Sequence, residues 1–345
     1  MLAYQYEPDG KMRLVTRETP TARDGELTLD VVASGVCGTD LKIARGQHRM
    51  FPRGTTRVPG HEIIGKVREN NSSNAISAGT LVAVAPNIGC GYCGSCLGRR
   101  SNLCKNYESV GLTMDGGFAE VVRIPARAIE QGNLMPIEES VAGVAVLTEP
   151  VAAVARGIRS LAPSNADTLL VCGAGPIGLI AVMMARQLGV ARIIVSQTSQ
   201  ARRELAKHWG ADDTINPRAE DLVAAVMRLT GGRGADCVIV ATPVAEVFQQ
   251  SLSAASDGGR VNFFAGLPAG EGVVALDANL IHYRELMVTG STANTTADCE
   301  HALALLVENP VPYGELITHR MALADSPRAF EIAVSGEALK MVIQP

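Results

Sequence analysis

The sequence predicts an α/β protein with two domains, one β-rich and one built on a doubly wound parallel sheet. Three observations carry this expectation. The chain has 345 residues, more than one core comfortably holds and about right for two domains of roughly 100–200 residues each. Its first part reads as short β-branched strands, at 27–36 and 63–67, broken by Gly, Pro and polar turns with no sustained helical period. After Pro150 the texture changes, and strand-like runs alternate with helix-length segments, which is the pattern of a parallel sheet covered by helices.

The predicted strands of this second part are 168–172, 192–196, 236–241, 260–265 and 286–290. The helix after the first of them, 176–188, is apolar nearly all round and is expected to lie buried against the sheet. Residues 296–307 read as an amphipathic helix, and 338–343 as a strand that returns to the first domain. The expected boundaries are therefore 1–150 with 291–345 for the β-rich domain, and 151–290 for the parallel-sheet domain.

Composition narrows the function classes. With 47% hydrophobic and 19% charged residues and 35 glycines, the chain suits a folded, turn-rich protein rather than a disordered one. A formal charge of -4 gives no electrostatic reason to expect nucleic acid or an anionic membrane surface as partner. The apolar stretch 179–184 falls short of the ~18–20 residues of a membrane span. The N-terminus lacks a basic region followed by an apolar core, so the cytoplasm is the expected compartment. Of eight cysteines, four crowd between Cys90 and Cys104, where metal is a better explanation than disulfides.

Cys90, Cys93, Cys96 and Cys104 form a C-x2-C-x2-C-x7-C array threaded with glycines. Four thiolates so spaced can close a tetrahedral shell around zinc, a site that stabilises and does not catalyse. An iron–sulfur cluster and coincidental free thiols are the competing explanations, and zinc is favoured over both. Gly173-Ala174-Gly175-Pro176-Ile177-Gly178 directly follows an apolar strand and opens the apolar helix. In that context the first glycine turns the chain, the second admits a pyrophosphate, and the third lets helix and strand pack.

Upstream stand Cys37-Gly38-Thr39-Asp40 and Gly60-His61-Glu62, then Thr148-Glu149-Pro150. A thiolate, an imidazole and a carboxylate from separate segments can hold zinc with one position open, as catalysis requires. Each alone has a bland explanation, as core thiol, surface turn or helix start; together they support one another. With the cysteine lobe, Asp115-Gly116-Gly117-Phe118-Ala119-Glu120 and the glycine motif, they make the chain resemble the zinc-containing medium-chain dehydrogenase family across nearly its whole length. Within that family it is similar to the polyol (sorbitol, galactitol) and threonine dehydrogenase branch.

The resemblance implies a GroES-like, zinc-binding catalytic domain and a Rossmann domain. It implies catalytic zinc on Cys37, His61 and Glu62, with Glu149 a fourth or alternating ligand or the holder of the zinc-bound water. It also implies that Thr39 begins a proton relay, and that Gly266-Leu267 and Gly290-Ser291 flank the nicotinamide in a cleft. The reaction implied is hydride transfer between a secondary alcohol and NAD(P), assisted by zinc as Lewis acid. One departure stands out: the family often has a histidine where this chain has Lys42, so the relay is left to water, or the lysine to substrate.

A simple alcohol or threonine-type dehydrogenase remains the alternative within enzymes. A non-enzymatic nucleotide-binding relative is the alternative of another class, and such relatives lack the zinc ligands that this sequence has. Lys42, Arg45, Arg49, Arg53 and Arg57 lie between Leu41 and His61 with no acid among them, suiting either a solvated loop or a receiver of phosphate or carboxylate. At the end of the second nucleotide-domain strand, Ser196 and Gln197 stand where an NAD enzyme normally places an acid, ~20 residues past the glycine motif. Thr198, Ser199, Arg202 and Arg203 follow, so NADP is the expected preference. The resemblance also suggests a homodimer or homotetramer, joined at strand 286–290.

Overall fold

The computed structural model describes residues 1–268 and 270–345. The chain divides into two compact units, Met1–Ala152 with Ala293–Pro345, and Ala153–Thr292. Each boundary falls two residues beyond the expected one, the first inside the helix Thr148–Leu161.

In the first unit six strands run in the order Ile317–Ala322, Lys340–Gln344, Leu27–Val36, Glu62–Asn70, Leu81–Val84 and Leu134–Pro136. A seventh, Val121–Ile124, pairs with Leu27–Val36. The sheet closes over Leu27, Leu29, Ile63, Val67, Val82 and Ile124, all buried. Its β-branched alternation is what the sequence displays, and the apolar tail does return here, pairing Met341 with Val36. Among what the sequence pattern missed is the hairpin Leu2–Tyr6 with Met12–Thr16, whose two strands are only five residues each. The helix Thr296–Glu308 buries Cys299, Ala302 and Leu306, a spacing of three and four that lines one face.

The second unit holds six parallel strands: β1 Thr168–Cys172, β2 Arg192–Ser196, β3 Asp213–Ile215, β4 Ala235–Val240, β5 Ala255–Phe263 and β6 Met287–Gly290. Their order is β3-β2-β1-β4-β5-β6, so the chain reverses direction across the sheet between β1 and β4. In such a sheet, ligands bind outside the carboxyl ends of the strands at that reversal. β3 escaped the sequence reading because it has only three residues, Asp213-Thr214-Ile215. β5 runs Ala255–Phe263 rather than 260–265, beginning among the polar residues Ser256-Asp257-Gly258-Gly259 that read as a turn.

The helix Pro176–Gln187 is buried without interruption from Gly178 to Ala185, as its apolar composition requires. Close packing begins at Gly178, where an added Cβ would meet the Gly173 carbonyl oxygen at 1.8 Å. Any side chain there would drive the helix off β1. No single helix among the described residues is long and apolar enough to cross a membrane.

Candidate active site

Strands Leu27–Val36 and Glu62–Asn70 pair antiparallel with Gly35 opposite Glu62. The residues just outside the pairing, Cys37 and His61, therefore lie side by side, with Sγ and Nε2 3.2 Å apart. Gly35 is required: a Cβ there would sit 1.9 Å from the Glu62 carboxylate. Cys37 also caps the helix Gly38–Ala44. Its sulfur accepts the Thr39 N–H at 3.2 Å and its own N–H donates to Asp40 Oδ2 at 3.0 Å. The second oxygen of Asp40 lies 3.7 Å from His61 Nδ1, an acid placed to fix the ring.

Glu62 is fully buried and takes an ion pair from Lys340, whose Nζ donates to Oε1 at 2.6 Å and to the Val36 carbonyl at 3.0 Å. Glu149, in the first turn of the helix Thr148–Leu161, is half-buried. Its Oε1 accepts from Asn294 Nδ2 at 2.8 Å. Donor atoms of His61, Glu62 and Glu149 all lie within 4.8 Å of one another, as do those of Cys37, Asp40 and His61, so His61 joins two overlapping groups.

Burial dominates the electrostatics. It pushes the Cys37 thiol and the Asp40 and Glu149 carboxyls above their ordinary values. Burial also opposes a charged His61, yet the Cys37 sulfur and Asp40 outweigh it and hold the imidazole well above its usual range. Three carboxyls and a thiol thus face two cationic groups, the His61 imidazole and the Lys340 ammonium that pairs with Glu62. A divalent cation would supply the missing positive charge, making Cys37 a thiolate and His61 neutral. With Cys37 and Glu149 only half-buried, the donor set fits a metal that keeps one open position.

The lobe fits a closed metal site. The Cys90–Cys96, Cys93–Cys96 and Cys93–Cys104 sulfurs are 3.9, 3.6 and 3.8 Å apart. A tetrahedron with Zn–S of ~2.3 Å has edges of ~3.8 Å. Desolvation opposes a charged Cys90, but the N–H groups of Tyr92 and Cys93 outweigh it and draw that thiol down to about 6.

In the nucleotide unit the expected residues gather at one edge of the sheet. Gly173 follows β1, Ser196 ends β2 with Gln197 beyond it, Gly266 and Leu267 lie past β5, and Gly290 ends β6 with Ser291 after it. These are carboxyl ends of parallel strands. Gly175 faces open space where a Cβ would meet nothing within 4 Å, while Pro176, Ile177 and Gly178 form the helix's first turn. Gln197 Oε1 accepts the Ser199 N–H at 3.1 Å, and Ser199 caps the helix that carries Arg202. Ser291 Oγ donates to Asn262 Oδ1 at 3.0 Å.

Two arginines are engaged with backbone carbonyls. Arg57 donates to the Met50 and Leu112 carbonyls at 2.9 and 2.6 Å and lies over the Phe51 ring, so it braces a loop and does not await an anion. Arg203 donates through Nη1 to the Gln197 and Thr198 carbonyls at 2.7 and 2.8 Å, which ties its guanidinium to the strand end. The sequence reading also passed over Lys340, Asn294 and His48. A single lysine inside the apolar tail 338–343 is the signal that marks a buried ion pair. His48 is half-buried, and desolvation, followed by the charges of His61, Arg49 and Lys42, lowers it to about 4.

Residues 176–308 match the family described as zinc-binding dehydrogenase, and residues 23–136 the alcohol dehydrogenase GroES-like domain. The L-threonine 3-dehydrogenase of Pyrococcus abyssi (strain GE5 / Orsay) is 32% identical over 95% of this chain and 94% of its own length. The L-galactonate-5-dehydrogenase of Escherichia coli (strain K12) is 32% identical over 95% and 94%. A solved structure from Sinorhizobium meliloti 1021, described as a zinc-binding dehydrogenase bound to NADP, superposes with a TM-score of 0.90 at 30% identity, covering 100% and 99% of the two chains.

His48 yields a pH test. Its folded value of about 4 lies below the ordinary 6.5, so between these values the unfolded chain binds more protons. The neutral imidazole's contribution is therefore complete above pH 6.5 and is lost as pH falls towards 4. In urea titrations across this range, wild type is expected to lose stability relative to His48→Gln as pH is lowered. A difference that stays constant from pH 7 to 4.5 would contradict the assignment.

Proposed function

Since the chain belongs to the zinc-binding family of medium-chain alcohol dehydrogenases, oxidoreductases that act on CH–OH, we propose that it exchanges a hydride between NADP and a secondary alcohol on a polyol or sugar that bears an anionic group. The observation that carries this reading is the cluster of Cys37, His61, Glu62 and Glu149, half-open on the Cys37 and Glu149 side. When bound there, zinc supplies Lewis acidity that favours the alkoxide, and the nicotinamide accepts hydride. Cys37 and His61 would hold the catalytic zinc, with Glu62 or Glu149 completing its shell, and the four lobe cysteines a second zinc.

The chain's own groups do the rest. Thr39 stands beside Cys37 at the start of its helix, where it can begin carrying the alcohol proton outward. His48, neutral at pH 7, is our candidate for the outer acceptor in place of the histidine that Lys42 replaces. Arg49 is exposed, yet its charge is felt at both His48 and Tyr107, which makes it the arginine suited to a substrate anion. Both named relatives support an anionic substrate, since threonine and galactonate each carry a carboxylate beside their alcohols. Threonine itself is the second reading, favoured by the same similarity. Preference for NADP rests on neutral Gln197, with support from the NADP-bound relative. A homodimer or homotetramer is consistent with β6 at the sheet edge, where Met287 is exposed.

A panel pairing neutral polyols with their acids and phosphates, and including threonine, tests the substrate. Specificity constants at least about tenfold higher for anionic members, ~1.4 kcal/mol in transition-state binding, are expected. Equal constants within pairs would sink the anion idea. Metal analysis should find about two zinc ions per chain. Cys37→Ser should abolish turnover in a folded protein, and Cys93→Ser should mainly lower stability; iron, or one zinc with full activity, would overturn the assignment. For the cofactor, Gln197→Asp should lower the NADP-to-NAD ratio of specificity constants by about tenfold or more. A wild type that already favours NAD tenfold would refute the preference.

A further inference from the structure

Glu149 is held from behind by a buried chain of hydrogen bonds that ends at the cysteine lobe. Asn294, fully buried, donates through Nδ2 to Glu149 Oε1 at 2.8 Å and to the Glu149 carbonyl at 3.2 Å. Its Oδ1 accepts from Asn87 Nδ2 at 2.7 Å and from the Cys299 thiol at 3.4 Å. Asn87 Oδ1 in turn accepts from the Tyr107 hydroxyl and from Ser109 Oγ at 3.3 Å. Every donor in the sequence Tyr107, Asn87, Asn294, Glu149 points the same way. Reversing Asn294 would set its oxygen against the Glu149 carboxylate and its N–H2 against that of Asn87, and reversing Asn87 would set its oxygen against that of Asn294.

The far end of this chain is the mouth of the lobe. Asn87 stands three residues before Cys90 and Tyr107 three after Cys104. Their segments Asn87–Ile88 and Glu108–Ser109 pair as a two-stranded ribbon. Asn133 Nδ2 fastens the same ribbon by donating to the Asn87 carbonyl at 2.9 Å. The group that sets the angle of the Glu149 carboxylate is therefore anchored on the segment that leads into the four cysteines.

We infer that Asn294 and Asn87 are positioning residues for Glu149, and that through them the cysteine lobe governs how firmly the catalytic metal is held. The inference rests on the reading above that Glu149 serves that metal. Removing the Asn294 amide frees Glu149 to turn, and removing the Tyr107 hydroxyl takes away one of the two donors to Asn87 Oδ1 at the lobe end of the chain. Groups that orient metal ligands typically change affinity by ~10–100-fold when removed.

The test measures the rate at which the catalytic zinc passes from the holoenzyme to a chelator, together with kcat and KM. Asn294→Ala is expected to speed release about tenfold. In a Glu149→Ala background the same substitution should change release less than about twofold, because its effect runs through Glu149. Tyr107→Phe, which keeps the ring, should speed release in the same direction by a smaller factor, and it serves if Asn294→Ala does not fold. If Asn294→Ala acts equally in both backgrounds, or if Tyr107→Phe leaves release unchanged, the positioning role is wrong. If Glu149→Ala by itself changes neither release nor turnover, the reading of Glu149 fails instead.

Discussion

Gathering buried Asp40 and Glu62 and half-buried Glu149 around one imidazole is the constraint on which the first unit turns. Carboxylates taken from water without compensation are strongly destabilising, and breaking a buried pair by removing one partner costs about 3–5 kcal/mol. Lys340 answers only one of the three acids, by an ion pair that closes 278 positions along the chain. Asp40 is answered by the Cys37 N–H and by His61, and Glu149 by Asn294. The charge still missing is that of a divalent cation, so metal affinity and folding of this region are two expressions of one balance.

That balance depends on backbone register more than on the acids themselves. A one-residue slip between Leu27–Val36 and Glu62–Asn70 would turn Glu62 to the other face of the sheet and separate Cys37 from His61. Gly35 prevents a clash at the one point where the carboxylate must cross the neighbouring strand. The tail strand supplies both a pairing partner for Leu27–Val36 and the lysine that neutralises Glu62, so the end of the chain completes the candidate site begun near its start.

The nucleotide unit follows a different logic, in which backbone position does most of the selecting. Parallel strands present their carboxyl ends on one edge, and the chain reversal between β1 and β4 opens that edge beside the glycine motif. Specificity then falls to a few side chains past the strand ends. Arg203 lies among them, with one nitrogen of its guanidinium donating to the Gln197 and Thr198 carbonyls.

The candidate metal-binding side chains, the glycine motif and most strands were legible in the sequence, because donor chemistry and hydrophobic period are local properties. Cys37, His61, Glu62 and Glu149 could be picked out by residue type and neighbours, and β1 and β2 by apolar runs of five. Short or glycine-rich strands such as β3 and the start of β5 were not legible, since their pairing comes from neighbours and not from their own pattern. Only the tertiary structure decided which polar groups lie beside the candidate site. Lys340, Asn294 and Asn87 owe their roles to partners far away in the chain, and Arg57 owes its exclusion to carbonyls that surround it. The physical reason is the same in each case: burial and hydrogen-bond partnership are set by long-range pairing, which leaves no local mark on the residues it selects.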